Sequence, residues 1–201
     1  TDHSKSAFYA NGLKEDRLLQ QIEEIQQLNQ QYNDFQVFSG IESDILWDGQ
    51  LDYEDEILER LDVVVASVHS VLKMEKDKAT ARIIKAIEHP ATRILGHPTG
   101  RLLLSRPGYA IDYHKVIDAC VANNVVIELN ANPLRLDLDW SWIPYCLEKG
   151  VMISINPDAH NKSAIHDIKY GVLAAQKGGL NAANCLNAKT LSEFKEWVAS
   201  K

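Results

Sequence analysis

The chain has 201 residues, of which 45% are hydrophobic and 24% charged, and its formal net charge is −7. That length and balance suit one domain with a sizeable core, and the acidic surplus argues against gripping nucleic acid through a basic surface, so any DNA would have to be presented by something else. Apolar runs such as Val63 to Ala66 are far too short to span a bilayer, and no charged-then-apolar leader opens the sequence, so a cytoplasmic protein without a membrane partner is expected.

In chain order, Thr1-Asp2-His3-Ser4 reads as the tail of a strand whose apolar body would lie upstream. Leu18, Ile22, Ile25 and Leu28 then recur at three- and four-residue intervals, which gives one apolar helix face. A β-rich run from Val37 to Glu42 follows, with a turn signal at Asp48-Gly49. Val63 to His69 is the next strand, Ile83, Ala86 and Ile87 mark a helix, and Arg93 to His97 is a further strand. After the turn signal Pro107-Gly108 come a helix carrying Val116, Ile117 and Cys120 and a strand from Val125 to Asn130. Gly150 suits a helix C-cap leading into the strand Val151 to Ile155. Thr190 and Glu193 form a capping-box signature ahead of Leu191, Phe194, Trp197 and Val198, a last helix that would end the domain. Short apolar strands alternating with amphipathic helices predict an α/β fold with buried parallel strands, either a wound barrel or an open sheet, and at least one more strand before residue 1. Cys120, Cys146 and Cys185 are odd in number and widely spaced, which excludes a disulfide framework or a zinc ribbon and fits a reducing compartment.

The chemistry-bearing residues share one structural address. Glu42, His69 and His97 each end a strand-like run, Asp158 and His160 follow the fifth, and His3 ends the first stump. In a parallel α/β arrangement all strand C-termini open on one side, so residues far apart in sequence meet there. A single histidine at a strand end is more often a hydrogen-bonded structural group, and a single Glu42 a loop carboxylate; the coincidence at successive strand ends favours a metal site. Imidazoles and carboxylates without thiolates suit Zn²⁺, Mn²⁺ or Fe in an open hydrolytic site. The i,i+2 spacing in Asp158-Ala159-His160 lets one loop serve two neighbouring ions. His89 is expected to meet terminal helix carbonyls, and His114 and His166 to be surface groups on helical stretches.

Thr1-Asp2-His3-Ser4, Gly40-Ile41-Glu42, Ala66-Ser67-Val68-His69-Ser70, Gly96-His97-Pro98-Thr99-Gly100-Arg101 and Asn156-Pro157-Asp158-Ala159-His160 resemble, in order, the motifs of the PHP (polymerase and histidinol phosphatase) family. Ser4-Lys5-Ser6 with Ala10-Asn11-Gly12-Leu13, and Glu128 to Pro133 with Arg135 to Leu138, resemble the branch attached to bacterial family-X DNA polymerases more than the free-standing histidinol phosphatases. The resemblance implies a distorted (β/α)7 barrel over residues 1–201, without its first strand and most of its second, and up to three divalent ions. It implies that Glu42 bridges two ions, one completed by His69 and His97 and the other by Asp158 with upstream histidines, while His3 and His160 serve a third. The family's His-x-His motif would lie before residue 1. Pro157 stands where the resembling proteins more often have Thr, which removes a backbone donor but no ligand.

No Gly-x-Ser-x-Gly elbow or Cys/His pair offers a nucleophile, so hydrolysis of a phosphate ester by metal-activated water is the expected chemistry. Arg101, just past His97, and Lys5, just past His3, are candidates to hold phosphate oxygens, and Arg135 is a weaker one. The resemblance implies a 3′-5′ exonuclease or 3′-end-processing domain acting on DNA held by a polymerase portion of the same protein, in repair. The rival readings are a small-molecule phosphatase resembling histidinol phosphatase and a metal-poor structural module that supports a polymerase.

Overall fold

The computed structural model describes residues 1–200. Six short strands, β1 (Asp2–His3), β2 (Gly40–Asp44), β3 (Val63–Ser67), β4 (Thr92–Leu95), β5 (Val126–Asn130) and β6 (Ile153–Asn156), form one parallel sheet in the order β1-β2-β3-β4-β5-β6. Each connection advances the sheet by one place in the same direction, and right-handed crossovers then put the intervening helices on one face. The principal helices are α1 (Glu15–Asn29), α2 (Asp55–Leu58), α3 (Lys76–Ile87), α4 (Tyr113–Asn123), α5 (Ile143–Lys149), α6 (Ile168–Lys177) and α7 (Leu191–Ala199). None is long and apolar enough to cross a membrane.

The strands alternate between two different environments. Ile41, Val64, Ala66, Leu95, Ile127, Leu129, Ile153 and Ile155 join the main core with Leu18 and Ile22 of α1, Ile83 and Ile87 of α3, Val116 and Ile117 of α4, and Ile143 of α5. On the opposite face Val63, Val65, Ile94 and Val126 form a smaller cluster with Leu186, closed by Met152 and by Phe194, Trp197 and Val198 of α7. Phe194 stacks edge-on against Phe38 at 4.8 Å, and the Arg93 guanidinium lies 4.3 Å over Trp197, so α7 covers the N-terminal half of that face. Register carries the same face towards the strand C-termini as polar residues: Glu42 pairs with Val65, Asp44 with Ser67, Glu128 with Ser154 and Asn130 with Asn156. One sheet face is thus apolar and plugged below, polar and open above.

The helix and turn expectations hold at their anchors. Gly150 caps α5 with φ +79°, Gly49 turns with φ +86°, and Thr190 and Glu193 make both bonds of the capping box of α7. Cys120, Cys146 and Cys185 are not joined to one another by a disulfide. Strand limits differ from the apolar runs. Residues 37–39 lie before the β2 ladder because side chains claim their backbone: Val37 exchanges bonds with Asn29, and the Ser39 N–H donates to Asp62. His69 and His97 stand two residues past β3 and β4. His89 meets the end of α3 through its backbone N–H, which bonds the Ala86 carbonyl at 3.3 Å, while its ring turns to Asp55 at 3.0 Å and accepts from the Ala91 N–H at 3.1 Å, because α3 ends at Ile87 and the chain turns back towards α2. His114 and His166 are exposed, the latter in a 3₁₀ segment (Lys162–Asp167) rather than an α-helix.

Candidate metal centre

Parallel register sets His3 beside Glu42, and the loops leaving β3 and β4 fold back so that two further imidazoles reach the same carboxylate. The approach of β4 to β3 depends on Gly96, where a Cβ would sit 2.2 Å from Ser67 Oγ. With no side chain there, His97 can follow directly and turn inward, almost fully buried.

Glu42 is the hub. Its Oε1 lies 2.9 Å from His97 Nε2 and 3.2 Å from His69 Nε2, while Oε2 lies 3.4 Å from His3 Nδ1. Ring centroids continue the array, His3 to His69 at 4.9 Å, His69 to His97 at 5.1 Å and His3 to His160 at 5.8 Å. The ligand atoms of His3, Glu42 and His69 all fall within 4.8 Å of one another, a spacing that can hold a metal ion. His3 Nδ1 and His69 Nε2 are buried with no hydrogen bond, although both face Glu42. An unpartnered buried polar group costs roughly 1–3 kcal/mol, so two of them aimed at one carboxylate, with no thiolate nearby, fit a divalent cation.

Burial opposes charge on Glu42, yet its contacts with His69 and His97 outweigh that and hold the carboxyl well below the usual range. Burial likewise opposes protonation of His69, but Asp44 and Glu42 overcome it and raise the imidazole to about 9. His97 is raised by Glu42 against the same penalty, whereas burial prevails at His3 and lowers it. The carboxylates thus favour the charged form of the His69 ring, the same electrostatics that would favour a cation between these groups.

Asp158 and His160 stand at the rim. Asp158, in the left-handed region at φ 50°, accepts from Asn130 at 3.1 Å and lies 3.4 Å from Arg135 Nε. His160 is 65% exposed, and its Nδ1 is 2.9 Å from the Asp158 carbonyl oxygen. Both line a cavity of about 670 Å³ together with His3, Glu42, His97 and Glu128. The structure thus brings His3, Glu42, His69 and His97 into one cluster and puts Asp158 and His160 on the same cavity wall. It does not bring Lys5 or Arg101 there. Lys5 Nζ is 2.6 Å from Glu15, and Arg101 bonds the Arg135 carbonyl at 2.9 Å, Asp139 at 2.7 Å and the Leu136 carbonyl. Arg135 instead reaches the rim, through its ion pair with Asp158.

Two supporting carboxylates escaped the sequence reading. Asp44, two residues past Glu42 on the same strand face, bonds His69 Nδ1 and accepts from Ser6 Oγ at 2.7 Å, leaving Nε2 to face the cluster. Its i,i+2 spacing from Glu42 was a usable signal. Glu128 is buried, and that burial pushes it up to about 7. It accepts from the His97 backbone N–H at 2.6 Å and from Asn156 at 2.8 Å, which fixes the His97 turn. Glu128 opens one of the stretches that carry the resemblance, but its spacing alone gives it no contact with His97.

No model of a known protein family matches the sequence. Among curated proteins, the chain is 42% identical over 198 residues to the DNA polymerase/3′-5′ exonuclease PolX of Bacillus subtilis (strain 168), an alignment covering 98% of the chain and 35% of that protein. It is 29% identical over 176 residues to a probable phosphatase of Thermoanaerobacter sp. (strain X514), covering 83% of the chain and 69% of the phosphatase. A probable phosphatase of Syntrophotalea carbinolica is 32% identical over 160 residues, covering 75% of the chain and 64% of its own length. The chain is therefore similar along nearly its whole length to about a third of a polymerase–exonuclease, and over shorter stretches to much of two probable phosphatases.

Proposed function

We propose that residues 1–201 are a metal-dependent phosphoesterase domain of the PHP family, that the sheet is part of that family's distorted seven-stranded barrel, and that the domain acts as the 3′-5′ exonuclease or 3′-end-processing unit of a bacterial family-X DNA polymerase in cytoplasmic DNA repair. The observation that supports it is the convergence of His3, His69 and His97 on the two oxygens of Glu42 at the C-terminal ends of parallel strands. The polymerase–exonuclease of Bacillus subtilis, similar across 98% of the chain, supports DNA as the substrate.

On this reading Glu42, with His69 and His97 facing its Oε1, would help hold divalent ions of Zn, Mn or Fe, and Asp158, His3 and His160 would complete the ligand set for up to three in all. Ions held there would supply a water acidic enough to yield hydroxide near neutral pH and would offset phosphate charge. The residues do the positioning. Asp44 fixes the His69 ring, Glu128 fixes the His97 turn, and Arg135 is placed to hold a non-bridging phosphate oxygen. Lys5 and Arg101 support the loops that bear these groups, through Glu15 and through residues 135–139 respectively.

A small-molecule phosphatase is the second reading, favoured by the Thermoanaerobacter relative, 69% of which aligns with the chain. Assays with Mn²⁺ on single-stranded DNA and on histidinol phosphate separate the two. Shortening of DNA from its 3′ end that is lost in His97→Ala is the expected result; release of phosphate from histidinol phosphate with intact DNA would support the rival. Turnover of neither, together with no divalent metal by elemental analysis, would sink both.

A further inference from the structure

Beside the metal centre, the loop leaving β1 presents two aromatic side chains to solvent. Phe8 is 87% and Tyr9 71% exposed, on a single 3₁₀ turn (Phe8–Ala10). The Tyr9 ring lies edge-on to two imidazoles of the cluster, with centroids 5.9 Å from His3 and 6.4 Å from His69. It therefore borders the place where a phosphate would be held.

The turn beneath these rings is firmly built. The Ala7 N–H bonds the Ser4 carbonyl at 3.0 Å, Ala10 and Gly12 bond the Ala7 carbonyl at 3.0 and 3.2 Å, and the Leu13 N–H bonds the His3 carbonyl at 2.9 Å. The Ser6 N–H donates to Asp52 at 2.6 Å, and Ala7 is fully buried. A Cβ on Gly12 would fall 1.9 Å from the Ser4 carbonyl oxygen, so only glycine lets the loop close on itself here. The backbone thus holds both rings outward at small further entropy cost on binding.

Resting on the phosphoesterase reading, we infer that Tyr9, with Phe8 beside it, is a stacking platform for the base of the nucleotide whose phosphate enters the metal centre, which makes the substrate class an unpaired nucleotide end. Charge and distance support a base as the occupant. At a net charge of −7 the domain has little cationic surface to spare for backbone phosphates, so a neutral contact next to the scissile phosphate is the one that adds affinity of the domain's own. Aromatic stacking is such a contact and tolerates any sequence. A base sits one sugar away from its phosphate, the same scale as the separation of Tyr9 from the His3 and His69 rings. A phosphate ester without a ring would gain nothing from this surface.

The test compares a single-stranded oligonucleotide carrying 2-aminopurine as its 3′-terminal base with the same strand ending in an abasic residue, both with Mn²⁺ and the full chain. Wild type should quench the 2-aminopurine on binding. Phe8→Ala/Tyr9→Ala should lose the quenching and at least tenfold in kcat/KM, mainly through KM, and Tyr9→Phe should restore both with Phe8 intact. On the abasic strand the loss should shrink to less than twofold. Equal losses on both strands, or wild-type quenching that the double variant retains, would overturn the inference. Quenching that depends on Tyr9 without hydrolysis of either strand would uphold the platform while removing the exonuclease reading.

Discussion

Glu42 joins three imidazoles through two oxygens, so a neutral replacement there should do more harm than loss of any one histidine. Glu42→Gln is expected to abolish divalent-metal retention by elemental analysis and to reduce hydrolysis to background. Asp44→Asn should be milder, with metal affinity falling about 10- to 100-fold in a chelator competition, the usual effect of losing a group that orients a ligand. The raised pKa of His69 gives the pH dependence two opposite signs. Metal requires the neutral ring, so affinity should climb as pH rises towards about 9, by about tenfold per unit for each proton displaced. Without metal, the protonated His69 contributes stability fully below its ordinary value of 6.5, and that contribution is lost as pH rises through about 9. Thermal unfolding in chelator between pH 6 and 10 should therefore show a falling midpoint, and a flat profile would contradict the proton held between His69 and its carboxylates. The clustering of His3, His69 and His97 was legible because each ends a strand-like run; the surroundings of Lys5 and Arg101 were not, because a cation's partner is decided by folding of the following loop. Lys5 and Arg101 sit beside His3 and His97 in sequence, yet their side chains turn to Glu15 and to residues 135–139.

At the level of elements, two arginines hold the mouth of the sheet together. Arg82 of α3, buried without a carboxylate partner, donates to the carbonyls of Ile45, Leu46 and Ser70 and so joins the loops after β2 and β3. Arg101 joins the loop after β4 to the loop after β5, where the Asp137 carboxylate in turn accepts from the Thr99 N–H at 3.0 Å. Arg82→Met should cost about 3 kcal/mol in denaturant unfolding, since bonds from a charged donor to buried carbonyls are lost at once. Arg101→Ala should instead speed hydrogen exchange over residues 97–101 and 132–139 while leaving β2 and β3 protected. Strand and helix order was readable from periodicity, as were the caps at Gly150 and Thr190. Strand limits were not, because a side chain such as Asn29 or Asp62 can claim backbone that alternation alone assigns to a ladder.

For the whole molecule, a cation bound only by the folded state adds stability in proportion to its affinity. Mn²⁺ or Zn²⁺ at 100 times its Kd should add about 2.7 kcal/mol, roughly 5–10 °C in Tm for a chain of this size, and chelator should reverse it. Glu42→Gln should show no such shift. The parallel sheet was foreseeable from short apolar strands between amphipathic helices. The position of α7 was not: its apolar stripe suits either face, and only the packing of Phe194 and Trp197 against Val63, Val65 and Ile94 assigns it to the side away from the other helices. That division of one face has an evolutionary consequence. On the proposed reading, substitutions above the Glu42–Val65 row alter ligand handling together with the stability a bound cation lends, whereas substitutions below it alter packing alone, so the lower half is the part that can drift without touching the chemistry.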